Sequence, residues 1–200
     1  MRFLITIIIV LGVAVSASAQ SFLLGSGKRA VVGQFGIGKW AEGTSLGMSA
    51  GYAPSRSWEF GFGVTTSSAY GVTTNVGSQM AYFHIASSTR DGKFLVALTL
   101  SELVLINLTE ETESAGAVGA GLTLGVPVNH EYPFLLSVGV LQAFPFNKNG
   151  SEITTGSLAM GFVVNTRESK VIFSPAITFG EGETILGLNV NVLFSGGRRR

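Results

Sequence analysis

The sequence contains no cysteine. A disulfide framework and a thiolate metal site are therefore excluded. Charge is scarce as well. Asp, Glu, Lys and Arg together make up 12% of the 200 residues, about half the usual ~25%. Aspartate occurs once, as Asp91, and histidine twice, as His84 and His130. The formal net charge of +1 gives no electrostatic case for a nucleic-acid partner. No helical 3.6-residue stripe runs through the chain, which argues against a coiled coil or helical repeat. What is abundant is glycine (27), phenylalanine (14) and hydrophobic residues generally (46%), a composition foreign to a charged disordered tail.

Long apolar runs are also missing, with one exception at the start. Met1-Arg2 is followed by thirteen apolar residues, Phe3 to Val15, and by the small-x-small site Ala17-Ser18-Ala19. This is the pattern of a secretory signal peptide, and the run is too short for a spanning helix. Residues 1–19 are expected to be removed, leaving an N-terminal lead over 20–28, a β-domain over 29–194 and a basic tail over 195–200. No linker or internal repeat divides the β-domain.

The mature chain alternates with a period of two. Leu46, Met48, Ala50 and Tyr52 interleave with Ser45, Gly47, Ser49 and Gly51. Trp58, Phe60, Phe62 and Val64 interleave with Glu59, Gly61, Gly63 and Thr65, and Leu186, Leu188, Val190, Val192 and Phe194 with Gly187, Asn189 and Asn191. Period two means strands. Turn signals such as Asp91-Gly92 and Asn149-Gly150 fall between the runs. The reading gives ten strands: 29–40, 44–53, 57–66, 78–87, 93–106, 115–128, 133–146, 152–166, 170–180 and 183–194. Ser67 to Gly77 is either a long loop or an extension of the strands beside it.

Two architectures fit: a soluble sandwich or barrel with its apolar face inward, binding an apolar ligand, or a membrane barrel with that face toward lipid. The polar face distinguishes them. A solvated surface is about a quarter to a third charged, whereas here it is mostly Gly, Ser, Thr, Ala and Asn. Strands of about ten residues match the ~9–11 needed to cross a bilayer when tilted. Aromatics cluster near strand ends: Trp40, Phe144, Phe146 and Phe179 toward one rim, and Tyr52, Trp58, Tyr132, Phe134, Phe173 and Phe194 toward the other. Turns after odd strands are acidic (Glu42, Glu110, Glu111, Glu113, Glu181 and Glu183, with Lys148). Turns after even strands are mainly basic (Arg56, Arg90, Lys93, Arg167 and Lys170, with Asp91, Glu131 and Glu168). An even-stranded up-and-down barrel puts these sets on opposite rims.

On these features the chain resembles the small outer-membrane β-barrel proteins of Gram-negative bacteria. The likeness covers residues 20–194 in pattern. The last strand is similar to that family's C-terminal assembly signal, here Gly187, Val190, Val192 and Phe194, although six residues follow the aromatic. The resemblance implies a ten-stranded antiparallel transmembrane barrel in the outer membrane, with both termini periplasmic. It also implies the lipid bilayer and the barrel-assembly machinery as partners.

Chemistry is harder to find. Gly47-Met48-Ser49-Ala50-Gly51 fits a nucleophile elbow, but it lies within a strand and no helix follows. A triad of His84, Ser87 and Glu59 can be drawn without any motif behind it, and the family's lipid A deacylases have Ser where this chain has Ala86. No zinc spacing, EF-hand or phosphate loop occurs. No catalytic residue, metal or cofactor is expected. The expectation is a structural barrel or a narrow passive pore, lined by Lys39, Ser45, Gly47, Ser49, Glu59, Gly61, Gly63, Gly187, Asn189 and Asn191. Glu59 is the fixed charge on that wall, either free or paired with Lys39. A lipid-modifying barrel enzyme is the remaining alternative.

Overall fold

Alternation that never breaks for more than a few residues leaves the chain one economical way to pair its backbone: each strand against the next. The computed structural model describes residues 21–24, 28–69, 71–88, 94–109, 114–128, 131–146, 151–166 and 169–195. The expected leader, the Arg198–Arg200 tail, His130, the Asp91-Gly92 and Asn149-Gly150 turns and the acidic residues 110–113 lie outside that set, as does the side chain of Tyr132. The strands are β1 (Ala30–Trp40), β2 (Gly43–Ala53), β3 (Trp58–Ala69), β4 (Val72–Ser88), β5 (Leu95–Asn107), β6 (Ser114–Val128), β7 (Glu131–Pro145), β8 (Ile153–Asn165), β9 (Ser169–Gly180) and β10 (Glu183–Ser195). Each pairs antiparallel with its sequence neighbours, and β1 pairs with β10 to close the barrel. Ser67 to Gly77 extends its neighbours: the Thr- and Ser-rich run continues β3 and β4 into a hairpin that turns at Gly71, whose φ is 75°. Glu181 and Gly182, both at positive φ, make the two-residue turn from β9 to β10, the geometry that matches strand twist.

Closure requires tilt, and the register displays it. A hydrogen-bonded row that starts at Val31, low on β1, passes Tyr52, Phe60, Ala81 and Glu102. It continues through Val118 and Gln142 to Thr154, beside the β9–β10 turn at the opposite rim. We call the rim with Ala30 and Ser195 the terminal rim and the other the far rim.

The exterior is apolar. Phe35, Met48, Phe62, Val138, Val140, Leu158 and Leu188 are all exposed on outward strand positions. So are Leu122 and Leu124 of β6. Tyr52, Trp58, Phe60, Phe134, Phe162, Phe173 and Phe194 are exposed and ring the terminal rim. Phe146 and Phe179 are the exposed aromatics toward the far rim. Trp40 departs from the expected girdle: it points inward and is only 5% exposed.

Candidate functional site in the barrel interior

Inward positions follow one order on β1, β5, β7 and β10. From the terminal rim, β1 carries Ala30 and Val32, then Gln34, Gly36 and Gly38, then Trp40. On β5 the order is Leu95, Ala97, Thr99, Ser101, Leu103, Leu105, and on β7 it is Leu135, Ser137, Gly139, Leu141, Ala143. β10 reads in the opposite direction as Leu193, Asn191, Asn189, Gly187, Ile185. The apolar members at the two ends belong to separate clusters. One, toward the far rim, joins Trp40, Met80, Leu103, Leu105, Leu141 and Ile185. At the terminal rim, Val32, Leu135, Val163, Ile172 and Leu193 pack together beside a smaller group of Leu95 and Ala97. On these strands a polar band lies between two apolar layers, whereas the far-rim inward positions of β2, β3 and β9 are polar (Ser45, Thr65, Ser67 and Thr178).

The terminal layer contains a piece that is not a strand. Ser21–Leu23 form a single 3-10 turn, closed by the Leu24 N–H donating to the Ser21 carbonyl at 2.9 Å. Phe22 joins the cluster of Leu95 and Ala97, and Leu24 the cluster that includes Val32, Ile172 and Leu193. Phe22 also sets its ring edge on His84, centroids 5.5 Å apart. The Ser21 hydroxyl donates to the Arg56 carbonyl. This segment fills the mouth of the barrel.

Within the band, Glu59 on β3 lies directly across from Tyr82 on β4. The Tyr82 ring stacks on His84, and its hydroxyl meets the Met80 sulfur at 3.4 Å. His84 Nδ1 lies 2.8 Å from the Thr99 hydroxyl. Ser49 donates to Gln34 Oε1 at 2.8 Å, and the hydroxyls of Thr123 and Ser137 share a bond of the same length. Several buried atoms have no partner among the described residues: Glu59 Oε2, His84 Nε2, Ser174 Oγ and the amide atoms of Asn189 and Asn191. A cavity of about 40 Å³ opens among Thr99, Ser101, Thr123, Ser137, Ser157 and Ser174. At ~10–15 Å³ per water it has room for a few.

Of the expected lining residues, Ser45, Gly47, Ser49, Glu59, Gly61, Gly63, Gly187, Asn189 and Asn191 occupy inward positions. Lys39 does not. It is exposed on the outer face, paired with Thr44 and Leu186. Phe35 and Ile37 set the outward parity of β1, and Lys39 continues it. One residue from the strand end, its ammonium can reach the headgroup region. The Glu59–Lys39 pairing across the lumen is thereby ruled out. Ser87 is also exposed, on the face opposite to His84, so the drawn triad is not assembled. Val190, Val192 and Phe194 of β10 point outward, and Gly187 points inward. Gln34, Thr99, Ser137 and Ser174 also face the interior, and no motif marks them in the sequence. Their signal was positional, each being a polar residue at an inward parity position. Phe22-Leu23-Leu24 carried a signal too, as the one apolar cluster in the lead.

Large apolar side chains outside, a polar band inside and a closed hydrogen-bonded ring define a transmembrane β-barrel. A soluble barrel would have these faces reversed. This is the architecture of outer-membrane proteins, and it puts the chain in that membrane. No protein-family model matches the sequence, and no curated protein matches it. Solved structures similar to the chain include the N-terminal β-barrel domain of Pseudomonas aeruginosa OprF, at 15% identity and a TM-score of 0.38, over 86% of this chain and 100% of that one. Another is the translocator domain of the autotransporter NalP from Neisseria meningitidis, at 13% identity and a TM-score of 0.43, over 86% and 89%. Ail, the attachment invasion locus protein of Yersinia pestis, is similar at 6% identity and a TM-score of 0.30, over 86% and 100%. With scores this low, the membrane assignment rests on the barrel's own exterior.

Proposed function

We propose that the protein is a closed outer-membrane barrel with a structural role and not a solute-conducting pore. The observation that carries this is the layering of the interior. Leu103, Leu141 and Ile153 toward the far rim, and Ile172 and Leu193 toward the terminal rim, are each under 2% exposed. A water path along the axis would have to pass these bulky apolar side chains at both ends, and such constrictions disfavour water. The cavity in the polar band between them is too small for a solute larger than a few waters. A ten-stranded barrel is near the size at which side chains fill the interior.

Single-channel recording in planar bilayers tests the proposal, using purified protein that shows heat-modifiable gel migration. The wild type should give no conductance steps. Phe22→Ala should also be silent, because Trp40, Leu103, Leu105 and Leu141 still fill the far end of the barrel. Cation-selective steps that weaken in Glu59→Gln would overturn the proposal in favour of a narrow pore.

A further inference from the structure

Glu102 is exposed on β5 in the middle of the lipid-facing belt. Along the outward face of that strand it follows Val96, Leu98 and Leu100 and precedes Val104 and Ile106. The row that climbs from Val31 at the terminal rim to Thr154 at the far rim reaches Glu102 halfway round. Its depth is therefore the middle of the membrane. Among the described residues the only other charge on an outward strand position is Lys39, which sits beside its strand end. Elsewhere at mid-depth the belt consists of side chains such as Phe35, Met48, Phe62, Leu158 and Leu188. A carboxylate facing hydrocarbon has no solvent partner, and an ionisable group in such a place is by default a site with an unidentified companion.

The neighbours of Glu102 indicate which companion fits. Ala81 is directly across on β4, and the residue two before it, Gln79, is exposed on the same face. Strand tilt of ~35–45° brings Gln79 and Glu102 to nearly the same depth, side by side. Ala81 then lies just below the midpoint between them and Val104 just above it. Gln79 offers an amide N–H, and Glu102 offers carboxylate oxygens. A two-fold axis between like-oriented copies in a membrane runs along the membrane normal, so it joins only groups of equal depth. Donor and acceptor meet that condition here. Ala81 and the outward Ala120 of β6 leave room for close approach.

We infer that the outer face of β4–β6 packs against a second copy of this chain, with Gln79 of each copy donating to Glu102 of the other and Ala81 on the two-fold axis. The complementarity is self-complementarity, the property a symmetric interface needs. Closure of the lumen plays no part in it, so the inference stands or falls separately from the proposed function.

The natural absence of cysteine makes the test direct. Ala81→Cys, oxidised in intact outer membranes, should give a disulfide-linked dimer. Leu188→Cys, at similar depth on β10, should not. Adding Glu102→Leu to Ala81→Cys should lower the dimer yield several-fold, while Glu102→Gln, which still accepts a hydrogen bond, should retain it. If Ala81→Cys loses heat-modifiable migration, Val104→Cys, on the same axis, replaces it. The inference is overturned if the folded variant cross-links no more than Leu188→Cys. A cross-linked product with the mass of a different protein, or a yield unchanged by Glu102→Leu, overturns it as well.

Discussion

Two tryptophans 18 residues apart in the chain show how facing is decided. Trp58 stands outward at the terminal rim, half exposed and stacked on Phe60 with rings 5.9 Å apart. Trp40 points inward among Val76, Leu105, Ile153 and Ile185. The parity of β1 was legible from Phe35 and Ile37, yet the residue types at its end suggested the reverse assignment. By type alone an aromatic suits the girdle and a lysine the lumen. At a strand end the two faces are less distinct in polarity, because one borders the headgroups and the other the capped interior. Only the count of residues from the middle of the strand settles which way each points. The consequence is measurable with brominated lipids, which quench neighbouring indoles. Fluorescence of Trp40→Phe, which retains Trp58, should be strongly quenched, and that of Trp58→Phe should be nearly unaffected. Equal quenching of both would mean that Trp40 faces lipid.

At the scale of elements, ten strands and their order were legible because alternation is a local signal that survives without tertiary information. The extension of β3 and β4 through Ser67–Gly77 was ambiguous, since Thr, Ser and Gly suit both a loop and a polar hairpin beyond the membrane. The interior band was half legible. Glu59, Asn189 and Asn191 announced themselves as polar residues within apolar strands, but the two apolar layers did not, because an inward leucine and an outward one look alike in sequence. The N-terminal turn was not legible as an element for a different reason: a 3-10 turn of three residues has no periodicity, and Phe22 is held by residues more than 60 positions away, His84, Leu95 and Ala97. Those contacts predict its worth. Phe22→Ala should destabilise the barrel by ~3 kcal/mol, the low end for removing a buried Phe ring, read as a lower urea midpoint for unfolding from lipid vesicles. A midpoint within error of wild type would show that the turn adds no stability at the mouth.

For the molecule as a whole, the rims differ in charge. Glu42, Glu181 and Glu183 lie at the far rim, and Lys28, Arg29, Arg56 and Lys170 at the terminal rim. The resemblance implies periplasmic termini, an orientation that would turn the far rim outward. A protease site inserted at the Glu181-Gly182 turn should be cut in intact cells, and one inserted after Pro54 should be cut only once the outer membrane is opened; the opposite pattern would invert the barrel. The seam adds a constraint on how the molecule comes to exist. Residue 30 pairs with residue 195, so the ring is completed by joining parts of the chain that lie farthest apart, the contact with the greatest loop-closure entropy. Phe22 and Leu24, inside that ring, belong to clusters that include residues of β5, β9 and β10. The N-terminal turn must therefore be in position before the seam shuts, or else pass the finished rim. Loop-closure entropy predicts an order in time as well as in space: hairpins first, the turn laid against them, and β1 meeting β10 last. Lesions at the seam should slow maturation more than they weaken the finished barrel.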